Sequence, residues 1–189
     1  MLPEIAMRAE KRNRLHSLAI LIILGALGGS ISVPIGWAGN FLSSLAVFPL
    51  PQLLSGLHVF WLVLAALLVP IRGSATFTGA LKGLIEASLF SHLGMFVFVV
   101  SLVEGAVVDL ALFLVKKRNA AAVYVTGGVS SASNLLIVQL FFLPGVPPEV
   151  LGLAYAAAFS SGALFGGYFA MRVMKAMPSG FKATVKNGK

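Results

Sequence analysis

Four ionisable side chains lie in stretches of sequence that are otherwise apolar: Lys82, Glu86, Glu104 and Asp109. At the centre of a bilayer such groups are costly unless they are paired or hydrated, and they commonly mark a functional site. A cation and an anion four residues apart on a helix can neutralise each other. The spacing from Lys82 to Glu86 therefore predicts either a structural ion pair or part of a ligand site.

One lysine faces two glutamates in this group. The segments that hold them are joined by a very short turn, so we predict antiparallel neighbours. A rise of about 1.5 Å per residue then puts Lys82 and Glu104 at similar depth. Lys82 is predicted to be the counter-ion of either Glu86 or Glu104, and the sequence leaves this choice open. The other carboxylate needs a further partner, such as a cationic ligand, a proton or water.

Polar and aromatic side chains accompany these charges in the outer half of the predicted bundle. They predict a pocket, open to the outside, for a small, flat, partly cationic molecule that forms hydrogen bonds. Anchoring at the membrane interface and hydrogen bonding between helices are alternative roles for them. The predicted substrate-binding residues are Glu86, Glu104, His58, Trp61, Asn134, Gln139 and Tyr155.

The elements that position these residues must be membrane helices. The chain has 189 residues, of which 58% are hydrophobic and 11% charged, whereas a soluble domain has about 25% charged residues. We predict an all-α integral membrane protein with one domain and six transmembrane helices, each near the roughly 20 apolar residues that a span needs. The third segment is the least apolar. The predicted spans are 15–37, 52–69, 73–91, 94–115, 120–143 and 149–174.

The basic residues predict the orientation. All Lys and Arg residues except Lys82 fall on segments that are cytoplasmic if both termini are inside, and cytoplasmic loops accumulate Lys and Arg. This placement explains the net charge of +8 without a nucleic-acid partner. We predict a multi-pass protein of a prokaryotic plasma membrane, with a basic cytoplasmic tail over residues 175–189. The uncharged stretch 38–50 is predicted to form a short helix or a re-entrant cap.

Several functions are excluded by the sequence. Without cysteine there is no thiolate nucleophile or thiolate metal ligand. Motifs for ATP hydrolysis and for common hydrolases are absent too, so neither an enzyme, a cofactor nor a resident metal is predicted. A small membrane enzyme has little support, since His58 and His92 are too few and too peripheral. A stand-alone proton-coupled carrier that uses Glu86, Glu104 and Asp109 as a relay is one possible function.

Small residues form a stripe in the first predicted span. Gly25 and Gly29 make a GxxxG motif that Ala26 and Ser30 flank, and such motifs let helices approach closely. Packing within the chain is one interpretation. The other is docking of a partner subunit, for which the predicted residues are Ala19, Gly25, Ala26, Gly29 and Ser30.

Two stretches carry a family resemblance: "LHVFWLVLAALLVPIRGSATFTGALKGLIEASL", residues 57–89, and "VVSLVEGAVVDLALFLV", residues 99–115. They resemble the substrate-binding S component of an energy-coupling factor (ECF) vitamin transporter, in the YkoE-like branch linked to thiamine or its hydroxymethylpyrimidine precursor. The resemblance implies a small vitamin-like substrate, a transmembrane coupling subunit and two ATPase subunits. It also implies a docking stripe on the first helix and a lid formed by residues 38–50.

Overall fold

The computed structural model of the chain describes residues 2–44, 50–89, 91, 93–115, 119–142 and 145–177, with side chains from residue 11 onward. All regular elements in these ranges are helical. They are α1 (Leu2–Ser44), a 3-10 helix (Leu50–Leu54), α2 (Ser55–Leu68), α3 (Ser74–Ser88), α4 (Phe96–Leu114), α5 (Ala120–Phe142), α6 (Pro148–Ser161), a π-helical segment (Gly162–Phe169) and α7 (Ala170–Ala176).

Five of the described helical stretches are long and apolar enough to cross a membrane. They are Lys11–Ser44, Leu50–Leu68, Phe96–Leu114, Ala120–Phe142 and Pro148–Ala176. The predicted all-helical membrane fold is thus confirmed, while the prediction of six spans is not. The third predicted span, 73–91, is only the 15-residue helix α3. Its rise of about 22 Å is less than the roughly 30 Å of a hydrocarbon core.

The first helix is longer than its predicted span 15–37. It runs without interruption from Leu2 to Ser44 and contains Pro34. Residues 38–44, predicted as the start of a separate short helix or cap, are instead the last turns of α1. Three other predictions fall partly or wholly outside the described residues: those on 45–49, on His92 and on the tail beyond residue 177.

Close contacts hold α3 between α1 and α4. Gly79 of α3 lies so near α4 that a Cβ there would collide with the carbonyl oxygen of Ser101, and a Cβ on Gly105 would collide with the carbonyl oxygen of Ala75. Absence of side chains at both glycines lets the two backbones approach closely. As a result, the buried side chains of Lys82 and its neighbours face α4 across a short gap.

Candidate functional site

A cavity of about 440 Å³ lies between α1, the 3-10 helix, α2, α3, α4 and α5. This volume falls in the range of roughly 300–1,000 Å³ that is common for small-molecule sites. Valine, leucine and isoleucine form its apolar walls. Its polar lining residues are Asn40, Ser43, Gln52, Ser55, His58, Lys82, Glu86, Ser101, Glu104 and Asn134.

Lys82 pairs with Glu86 at the cavity wall. The ammonium nitrogen Nζ donates to Oε2 of Glu86 at 3.0 Å and to Oγ of Ser101 at 2.9 Å. Both charged side chains are 1% exposed. Of the two partners that the sequence left open, Glu86 and Glu104, Lys82 therefore pairs with Glu86, which lies one turn away on α3. On the other side of this glutamate, Nδ1 of His58 lies 3.9 Å from Oε1.

Glu104 is the carboxylate that Lys82 does not bind directly. It is fully buried, and its Oε1 accepts a hydrogen bond of 2.6 Å from Nδ2 of Asn134. Its Oε2 has no hydrogen-bond partner among the residues described. A buried polar atom without a partner costs about 1–3 kcal/mol, and more if it is charged. Glu104 thus brings to the cavity an acceptor that a ligand with a suitable donor would satisfy.

Three predicted substrate-binding residues do not line the cavity. Trp61 packs edge to face on Phe60, with ring centroids 5.1 Å apart, and a Cβ on Gly28 of α1 would lie 2.9 Å from its Cγ. The hydroxyl of Tyr155 donates to Oε1 of Gln139 at 2.6 Å, which links α6 to α5. The predicted aromatic wall is therefore not built by Trp61 or Tyr155, because their helix faces turn toward neighbouring helices.

Some lining residues were missed by the sequence argument. Ser101 lies three residues before Glu104 on α4, so helical spacing alone would have found it. Asn40 and Ser43 share the same spacing near the end of α1. They were missed because the predicted span ended at residue 37, whereas the helix continues to Ser44.

The predicted docking residues of α1 divide into two sets. Gly25 and Gly29 are buried against α3, where a Cβ would lie 2.8 Å from Cβ of Leu81 and 2.7 Å from the carbonyl oxygen of Lys82, respectively. Their prediction as partner contacts is corrected, since their surface is already occupied within the chain. Ala26 is partly buried, while Ala19 and Ser30 are exposed.

Asp109 has a structural role at the start of α3. Its carboxylate accepts hydrogen bonds from the backbone nitrogens of Ala75 and Thr76, at 3.3 and 2.8 Å, and from Oγ1 of Thr76 at 2.7 Å. The first turn of a helix has unpaired N–H groups, and an acid there also suits the helix dipole. Asp109 therefore caps α3 from α4, which weakens its assignment to a proton relay.

The fold is that of an ECF-transporter S component. A solved structure described as "Crystal structure of an S-component of ECF transporter" superposes with a TM-score of 0.81, at 18% sequence identity, over 91% of this chain and 93% of that chain. The predicted S-component fold is thus confirmed.

The family of the chain is identified by a match between its sequence and a family model. A model of the family described as "ABC-type cobalt transport system, permease component" matches residues 16–134. The chain belongs to this family, which is one of transporters rather than of enzymes. No curated protein matches the chain. The predicted YkoE-like, thiamine-linked branch stays a prediction, and the family description names cobalt instead.

Proposed function

We propose that the chain is the substrate-binding S component of an ECF-type ABC importer, and that its substrate is a small organic molecule with a cationic or N–H donor group. The observation that carries this proposal concerns Glu104, a fully buried residue that lines a cavity of about 440 Å³ and whose Oε2 has no hydrogen-bond partner among the described residues. An N–H donor of a ligand would remove the cost of this buried oxygen.

Thiamine and hydroxymethylpyrimidine fit this chemistry. Both carry an aminopyrimidine ring, whose amino group is a donor for Glu104, and thiamine adds a thiazolium cation that suits an acidic cavity. Asn134, already bound to Glu104, has an amide oxygen that can accept a second hydrogen bond. Apolar lining residues such as Val97, Val100 and Val138 suit the faces of a flat ring.

A cobalt ion is the second candidate, since the family description names it. The donor set favours an organic ligand. No group of three or more His, Cys, Asp or Glu residues suited to a metal occurs in the described part of the chain. Glu86 is also bound to an ammonium group, and sites for such ions are normally built from several nitrogen, oxygen or sulfur ligands.

The proposal extends to the partners and the membrane orientation. The sequence contains no ATP-binding motif, so energy would come from two ATPase subunits through a transmembrane coupling subunit. Exposed Ala19 and Ser30 on α1 are the predicted docking residues that remain accessible. We place the protein in a prokaryotic plasma membrane with both termini in the cytoplasm and the cavity opening outward.

The direct test is a binding panel on the detergent-purified chain. Isothermal titration calorimetry with thiamine, hydroxymethylpyrimidine, other vitamins and cobalt chloride should give sub-micromolar affinity for at least one organic compound. Thermal shift in the same detergent provides an independent readout. Tight binding of cobalt with no response to any organic compound would replace the proposed substrate class by the metal ion.

A further inference from the structure

The Lys82–Glu86 pair is the feature of the cavity that the proposed function leaves unexplained. Both side chains are 1% exposed, and Nζ of Lys82 also donates to Oγ of Ser101. Removal of two charges from solvent is expensive, and replacement of a buried ion pair by apolar residues is often neutral or stabilising. Stability alone is therefore a weak reason for a lysine at this position, and its place on the cavity wall points to a role in binding.

We infer that Lys82 determines the charge selectivity of the cavity. Its ammonium group offsets one of the two carboxylates among the described lining residues, so these three groups carry one net negative charge. The cavity therefore accepts a singly charged or neutral N–H donor and rejects divalent metal ions. This inference rests on the proposed function, because it concerns the ligand of the same cavity.

The contacts of the two glutamates show why a divalent ion is disfavoured. Oε2 of Glu86 accepts from the ammonium group, and its Oε1 lies 3.9 Å from Nδ1 of His58. Oε1 of Glu104 accepts from Asn134. A divalent ion that bound Glu86 would have to approach Nζ of Lys82, and repulsion between like charges is strong where water is excluded. An organic monocation can instead place its N–H donor at Oε2 of Glu104.

Removal of the ammonium group should make the cavity more favourable to divalent cations. In Lys82→Met the methionine side chain fills much of the lysine volume, and Glu86 loses its counter-ion. The cavity then carries two uncompensated carboxylates, which attract a divalent cation. Since carboxylates are ordinary ligands of divalent metals, the single substitution should raise affinity for a divalent metal.

Cobalt titration of the full chain in detergent tests this expectation. Isothermal titration calorimetry with cobalt chloride should show affinity at least about tenfold higher for Lys82→Met than for the unchanged protein, a difference of about 1.4 kcal/mol. The double variant Lys82→Met, Glu86→Gln has the original net charge in the cavity, and it should lose this gain. Lys175→Met removes an exposed lysine and should leave cobalt affinity as it was.

Two results would overturn the inference. One is a monodisperse Lys82→Met protein that binds cobalt no better than the unchanged protein. The other is tight cobalt binding by the unchanged protein itself. Failure of the proposed function has a different signature, because it appears as absence of organic ligand binding in the unchanged protein, whatever the cobalt titrations show.

Glu86→Gln supplies a second measurement if Lys82→Met does not fold. It keeps the ammonium group and removes its counter-ion, so the cavity becomes less attractive to cations. Thiamine affinity should fall at least about tenfold, while neutral hydroxymethylpyrimidine should lose much less, because charge repulsion acts on the cation. Equal effects on the two compounds, or none on either, would contradict a role of the pair in charge selectivity.

Discussion

The two oxygens of the Glu104 carboxylate have different surroundings, and this difference makes Glu104 the most informative residue of the cavity. Oε1 accepts the amide of Asn134, whereas Oε2 has no partner in the described part of the protein. Glu86 has its nearest partners within the protein, at Lys82 and His58. Ligand binding should therefore depend on both glutamates but for different reasons: direct contact for Glu104 and charge compensation for Glu86.

Glu104→Gln should weaken ligand binding without destabilising the empty protein. The amide keeps the shape of the side chain but removes the charge, and a hydrogen bond to a charged group contributes about 1.5–3 kcal/mol. We expect thiamine affinity to fall roughly tenfold to a hundredfold. Because a buried carboxylate is costly, the melting temperature without ligand should rise or stay equal.

Calorimetry and a thermal melt of the same preparation measure both effects. Glu149→Gln is the matched control, since Glu149 is exposed in the first turn of α6 and its variant should bind as the unchanged protein does. Undiminished affinity of Glu104→Gln would refute direct contact between Glu104 and the ligand.

Local spacing made the ion pair predictable, whereas helix rotation could not be obtained from the sequence. The interval from Lys82 to Glu86 is fixed by the helix itself, so their pairing was among the predicted alternatives. The rise per residue also predicted that Lys82 and Glu104 lie at similar depth. Trp61 and Tyr155 were predicted at a suitable depth. The direction in which each side chain faces depends on how its helix packs against the others, and this packing cannot be read from one sequence.

The helix that positions the ion pair depends on its contacts with neighbouring helices. At 15 residues, α3 is short, its first turn is capped by Asp109 of α4, and two glycines bring the backbones of α3 and α4 together. A polar, glycine-containing segment such as this has a weak hydropathy signal, which explains why it is the least apolar of the predicted spans. Its position follows from packing and capping, so changes at these contacts should displace Lys82 and Glu86.

Gly105→Ala should destabilise the protein and disturb the cavity. The new Cβ would collide with the carbonyl oxygen of Ala75 and lie 2.8 Å from Cα of Thr76, and overpacking of this kind typically costs about 1–3 kcal/mol. We expect a melting temperature lower by several degrees and weaker ligand binding. Gly152→Ala is the control, because a Cβ at Gly152 of α6 meets nothing within 4 Å. An equal response of both variants would show that the α3–α4 approach is not tight.

Asp109→Ala should affect stability far more than binding. It removes three hydrogen bonds from the first turn of α3, and loss of a helix cap costs about 0.5–2 kcal/mol. The melting temperature should fall, Asp109→Asn should restore part of it, and thiamine affinity of the folded protein should stay within about twofold. In a proton-coupled carrier this acid would be needed for transport. Proton-driven uptake by the chain alone in proteoliposomes, abolished in Asp109→Asn, would support that alternative instead.

At the scale of the whole molecule, the number of crossings determines where the termini lie. Five described stretches have the length and hydropathy of spans, and an odd number of crossings puts the termini on opposite sides. If α3 crosses as well, both termini are on one side, as the distribution of basic residues predicts. A helix of about 22 Å can reach across if its ends are extended by turns or if the bilayer thins locally. The location of the termini therefore shows whether α3 crosses the membrane.

Single-cysteine labelling decides this point, since the chain contains no cysteine of its own. Lys11→Cys and Lys175→Cys replace exposed residues near the two ends of the described chain, and Glu149→Cys lies at the opposite end of α6 from α7. In intact cells a membrane-impermeant maleimide should modify Glu149→Cys alone, and permeabilisation should expose the other two. Opposite accessibility of Lys11→Cys and Lys175→Cys would mean an odd number of crossings. In that case α3 would not cross the membrane, and its Lys82–Glu86 pair would lie on a helix that enters and leaves from the same side.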